Sequence, residues 1–177
     1  LIEIHPESKT ELLQKSRNAV DQAREFYESG IEEDPTNHWT AMQYLSLKAV
    51  SEGNLNEDIG PWHIVKYMAE REERRASNET DKMWAWGTLA ELYMLQPLIA
   101  PDHPAEQQIE SSIALSIGYI EKMADARQEF NSVKESTARQ FERYIEWWPL
   151  LFSEVYPTWL KNAATRIRSK LPALELL

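Results

Sequence analysis

Trp86, Leu89, Ala90 and Tyr93 follow one another at intervals of three, one and three residues. On an α-helix those intervals gather two rings, a branched aliphatic side chain and a small residue onto one stripe. Ala23, Tyr27 and Gly30 repeat the arrangement near the start of the chain, at intervals of four and three, with Pro35 five residues further on. Small residues next to rings let a second helix come close while the ring fills the space beside it. Pro35 ends the earlier helix because it lacks a backbone donor and its ring clashes with the preceding turn. This spacing restricts the chain to antiparallel helices packed in pairs.

The composition offers nothing against that restriction. Five Gly and nine Pro are few for 177 residues, no run of alternating β-branched residues stands out, and apolar residues recur at intervals of three and four. A chain of this length buries one substantial core, so a single domain over residues 1–177 is expected. There is no cysteine, which removes disulfide frameworks and thiolate metal sites. No apolar run approaches the roughly 20 residues that span a bilayer. The chain opens on Leu1-Ile2-Glu3-Ile4-His5-Pro6, without Met or a signal-peptide pattern. That opening fits a piece of a longer polypeptide, and the default compartment is the cytoplasm.

About seven helices are expected. Ser8 and Glu11 have capping-box spacing for a first helix reaching Glu33. Asn37 caps a second, carrying Trp39, Met42, Leu45 and Val50 and stopping near Gly53-Asn54. Pro61 sits in the first turn of a third, which ends in the mixed-charge run Glu70 to Arg75, read as a solvated face. A fourth follows Ser77-Asn78-Glu79-Thr80 and carries Trp84 to Leu95; a fifth covers about Pro104 to Ala126. The sixth covers about Phe130 to Trp148, stopped by Pro149, and the last begins near Pro157 with Trp159, Leu160, Ala163 and Ile167. Residues 150–177 are expected to supply a capping helix.

The Trp-x-x-Leu-Ala-x-x-Tyr and Ala-x3-Tyr-x2-Gly-x4-Pro patterns resemble the first and second halves of a tetratricopeptide repeat (TPR). The 47 residues from Trp39 to Trp86 exceed the roughly 34 of a standard repeat, so the resemblance implies an all-α, short and irregular TPR-like solenoid. Segments 34–39 and 84–93 are also similar to helical-repeat regions that regulate effector domains in large bacterial signalling and defence proteins. They are distantly similar to the TRAF-binding regulatory domain of stress-activated kinase kinases.

If the family's geometry holds, positions 2, 5, 9 and 12 of each first helix face a peptide-binding groove. Phased on Trp39 these are Asn37, Thr40, Tyr44 and Leu47; phased on Trp86 they are Trp84, Gly87, Glu91 and Met94. Glu91 would repel a carboxylate, which favours a basic or amphipathic protein segment as partner. Trp39, Trp62, Trp86 and Trp159 lie on apolar stripes and read as core. Trp84 points elsewhere from Trp86, and the adjacent Trp147 and Trp148 cannot both face one side.

The formal charge of −10 argues against a nucleic-acid surface. Residues 1–60 carry 12 acidic and 5 basic side chains, a balance of −7, whereas 101–177 carry 11 and 9, a balance of −2. Lys161, Arg166, Arg168 and Lys170 fall in an acid-free stretch from Val155 to Leu174, which suits either an acidic contact or the carboxyl end of a helix. His5, His38, His63 and His103 form no zinc or di-iron motif, and no phosphate loop or nucleophile elbow occurs. The expectation is a non-catalytic interaction scaffold without cofactor or metal. The alternative is a free-standing acidic immunity-type protein that neutralises a basic partner.

Overall fold

The computed structural model describes residues 6–99, 104–126 and 131–171. Among them are seven helices in sequential antiparallel pairs, with no strand. They are α1 (Pro6–Glu33), α2 (His38–Glu52), α3 (Ile59–Arg75), α4 (Glu79–Leu95), α5 (Glu106–Ala124), α6 (Asn131–Glu142) and α7 (Thr158–Arg168). A 3-10 turn follows α4 (Gln96–Ile99), and α6 continues through a π-helical turn (Arg143–Trp147) into a last α-turn (Trp148–Leu151). None of the described helices is long and apolar enough to cross a membrane.

Local chemistry sets most of the boundaries. Asn37 Oδ1 accepts the Thr40 amide at 3.1 Å and Asn78 Oδ1 accepts the Asp81 amide at 2.8 Å, each cap contributing about 1 kcal/mol. Gly53 closes α2 in the left-handed region at φ 73°, donating to the Ala49 carbonyl. After α1, Asp34 Oδ1 accepts from both the amide and the hydroxyl of Thr36, turning the chain toward α2 and holding the Asp34 carboxyl below its usual range.

Pro149 does not end the sixth helix, contrary to the sequence reading. The π turn before it bonds the Trp148 amide back to the Arg143 carbonyl, widening the backbone where the proline ring would otherwise meet the preceding turn. The helix then ends at Leu151, with Phe152 donating to Trp148.

Helix α4 is the hub, packed by α2, α3, α5, α6 and α7 and buried on nearly every side. The Trp86 stripe works as its spacing suggests. Leu89 and Tyr93 pack on Ala69 of α3, Tyr93 stacks on Tyr119 of α5, and Ala90 lets α5 approach until the Ser116 hydroxyl donates to its carbonyl at 2.7 Å. The Trp86 indole donates to Glu73 Oε1 at 2.9 Å, and Lys122 reaches the same oxygen. Glu73 is therefore not part of a wholly solvated charge run. In the earlier pattern, Gly30 lies against Thr40 and Tyr27 meets Trp39 edge-on at 6.0 Å.

The tryptophans divide unevenly. Trp62 is buried, Trp86 and Trp159 are half-buried, and Trp39 is 46% exposed rather than core. Trp147 and Trp148 face opposite ways, 61% and 7% exposed. The basic stretch near the end is engaged internally: Arg166 grips Glu110 of α5 through two hydrogen bonds, Arg168 pairs with Glu142 and Lys170 with Glu121. Helix α7 thereby lies across α4, α5 and α6. Residues 172–177, the end of the expected capping segment, fall outside the described residues.

Candidate functional site

Helices α2, α4 and α6 lie side by side, with α1 flanking α2, and border a half-open cavity of about 260 Å³. Tyr27 of α1 and Trp39, Met42 and Gln43 of α2 form one wall. Trp84, Gly87, Thr88 and Glu91 of α4 form the base, and Ser136, Thr137, Arg139, Gln140 and Arg143 come from α6 and its π turn. Gly87 makes the arrangement possible. A Cβ there would stand 3.0 Å from Thr137 Oγ1, so glycine lets α6 settle directly on α4.

Glu91 is 4% exposed and is held by its neighbours. Its Oε1 accepts the Tyr144 hydroxyl at 2.7 Å and the Gln140 amide at 2.8 Å. The Ser46 hydroxyl of α2 lies 2.5 Å from the Tyr144 hydroxyl, and since Tyr144 donates to Glu91, Ser46 is the donor in that bond. Tyr144 belongs to the π turn, and Tyr156 donates to its carbonyl at 2.6 Å. Burial raises the Glu91 carboxyl above its usual range, against the lowering effect of its donors and of the Arg143 charge. Burial and the Glu91 charge push the Tyr144 hydroxyl well above the usual tyrosine range.

The exposed charges at the cavity are arginines. Arg143 donates to Gln140 Oε1 at 2.9 Å, and Arg139, one turn earlier, lies 3.8 Å from Glu135. Two further polar side chains line the cavity while being at least nine-tenths buried: Gln43, 8% exposed, and Thr137, 7% exposed. Neither is among the buried side-chain atoms left without a hydrogen-bond partner, which are Asp58 Oδ2 and Trp148 Nε1 among the described residues. Thr88 meets His38 Nδ1 at 3.0 Å, and burial lowers the His38 pKa.

Of the residues assigned to a groove from sequence, Trp84, Gly87 and Glu91 come together here. The others lie elsewhere. Asn37 caps α2, Thr40 packs on Gly30, and Tyr44, Leu47 and Met94 are buried in the core. The regular phase fails because α2 and α4 are covered on more sides than the first helices of a uniform array. Glu91 is 4% exposed and bound by Tyr144 and Gln140 rather than standing as an open carboxylate. Sequence reasoning passed over Gln43, Thr137, Arg139, Gln140 and Arg143. For Thr137, Arg139 and Gln140 the only signal was a polar stripe on α6, which any solvated helix shows, and Gln43 is a lone polar residue between Met42 and Tyr44 on α2.

A larger, open depression of about 780 Å³ lies among α3, the 3-10 turn and α5, with Ile59, Trp62, His63 and Leu115 on its walls. It is also lined by Ile99 and Ala105, which flank the undescribed residues 100–103. Among the described residues no three His, Asp or Glu side chains gather as metal ligands. The cavity between α2, α4 and α6 thus combines aromatic side chains, polar groups and two exposed arginines. No family model, curated protein or solved structure matches the chain.

Proposed function

We propose that this chain is a TPR-like interaction scaffold whose α2–α4–α6 face receives a segment of another protein or of a neighbouring domain. The observation that carries this is the cavity itself, built from helices that alternate along the chain and lined by Tyr27, Trp39 and Trp84. In helical-repeat domains generally, stacked pairs leave every second helix on one side, and that side offers a continuous surface to peptides. The exposure of Trp39 supports the reading, because large aromatic anchors open to solvent are enriched at binding surfaces.

The test is a selection of binders from a randomised peptide display library on the intact chain, followed by calorimetry. Trp39→Ala and Trp84→Ala should each weaken the selected peptides about tenfold or more. Tyr67→Ala, on the exposed side of α3, should leave them unchanged. Peptides that ignore both cavity substitutions, in variants shown by circular dichroism to be folded, would contradict the proposal.

A further inference from the structure

We propose that the cavity between α2, α4 and α6 accepts an acidic side chain of the docked segment, a glutamate or aspartate, held by Arg143 and Arg139 at the mouth and by Gln43 and Thr137 inside. The proposal rests on the reading of this face as the docking surface and adds the chemistry of the anchor.

Charge complementarity carries the first part. The charged side chains at the cavity wall are Glu91, Arg139 and Arg143, and only the two arginines are exposed. Glu91 is turned inward, its Oε1 occupied by the Tyr144 hydroxyl and the Gln140 amide. A lysine or arginine entering the cavity would meet two guanidinium groups before reaching a carboxylate already bound by two donors. An entering carboxylate meets the guanidinium groups first, and those present planar, forked donors suited to it. Glu135, 3.8 Å from Arg139, is the one acid whose ion pair competes at this rim among the described residues, and as an exposed helical pair it is weak.

The second part is independent of charge. Gln43 of α2 and Thr137 of α6 are polar side chains, 8% and 7% exposed, that both line the cavity. A carboxylate brings acceptors for the Gln43 amide and the Thr137 hydroxyl. The volume of about 260 Å³ suits one side chain and not a helix. Trp39 and Trp84 would flank its methylene stem. The π turn that begins at Arg143 fits this role, since single-turn π segments recur at binding sites.

The experiment uses the peptides selected on the intact chain. One position in them should be enriched in Glu or Asp. Replacing it by Gln should weaken binding about tenfold, and by Lys more, because the two guanidinium groups at the mouth then lose their anionic partner or face a like charge. Arg143→Met should weaken the parent peptide to a similar degree and make the Glu-to-Gln change in the peptide nearly silent, while Arg143→Lys recovers part of the loss. Enrichment of Lys or Arg at a position whose binding needs Trp39 overturns the acidic anchor but leaves the docking face standing. Peptides indifferent to Trp39→Ala, or no selected peptide at all, overturn both. Inorganic phosphate binding with no preference for acidic peptides would assign the arginines to a free anion and also overturn the proposal.

Discussion

The Tyr144 hydroxyl donates to Glu91 Oε1 at 2.7 Å, joining the π turn after α6 to the middle of α4 beneath the cavity. With Ser46 on the far side of the same hydroxyl, one buried network fixes three helices that line the candidate binding face. Buried networks of this kind are stabilising when every member is satisfied and costly when one is removed.

Tyr144→Phe keeps the ring and removes the hydroxyl. Glu91 then loses a donor and Ser46 an acceptor, in a region closed to water. The variant should lose about 1 to 3 kcal/mol in urea unfolding, with an unchanged denaturant slope. Loss below about 0.5 kcal/mol would mean that the network contributes little.

Glu91→Gln tests the ionisation of the same group. Burial raises the folded-state pKa of Glu91 above its unfolded value, so its contribution is full below the unfolded pKa. It is lost as pH rises through the folded pKa. The stability difference between wild type and Glu91→Gln should therefore move in favour of the wild type as pH falls from 7 toward 4.5. Movement in favour of the variant over that range would show that the carboxylate is stabilised, not penalised, by its site. At the alkaline end, Tyr144 stays protonated while unfolded tyrosines ionise, so stability should decline above pH 10 less steeply in Tyr144→Phe.

Two glycines should respond in opposite directions to alanine. Gly53 has φ 73°, and a Cβ there would run into the Val155 carbonyl, so Gly53→Ala should cost about 2 kcal/mol or more. Gly118 lies within α5 with nothing near its missing Cβ. Gly118→Ala should gain about 0.5 to 1 kcal/mol from helix propensity. Melting temperatures of the two variants decide both.

Lys48 and Asp58 make the most buried ion pair described, 2.9 Å apart with side chains 16% and 6% exposed. Asp58→Ala leaves the Lys48 ammonium with only the longer 4.0 Å pair to the half-exposed Glu52 and should cost about 1 to 3 kcal/mol. Adding Lys48→Met should recover part of that loss, because the weakly paired charge goes with it. A double variant as unstable as the sum of the singles would show that the two charges are uncoupled.

Helix boundaries were legible where a side chain acts on its own backbone: Asn37, Asn78, Gly53 and Pro157 each mark an end that the structure keeps. The Trp86 stripe was legible for the same reason, since its partners lie on the adjacent helices α3 and α5. Pro149 misled because the chain accommodates its ring through a π turn, Arg143–Trp147, in which Tyr144 is buried, and the local pattern carries no mark of such a turn. The cavity was half legible. Trp84, Gly87 and Glu91 follow from the phase of α4, but Gln140 and Tyr144 bond Glu91 from about 50 residues away, and no periodicity within α6 points to that encounter.

The most direct measurement is amide hydrogen exchange of the intact chain with and without a peptide selected on it. Slowed exchange confined to residues 39–43, 84–91 and 136–143 is the expected footprint. Protection on the outer sides of α3 and α5 instead, with those three segments unchanged, would contradict the assignment of the α2–α4–α6 face as the binding surface.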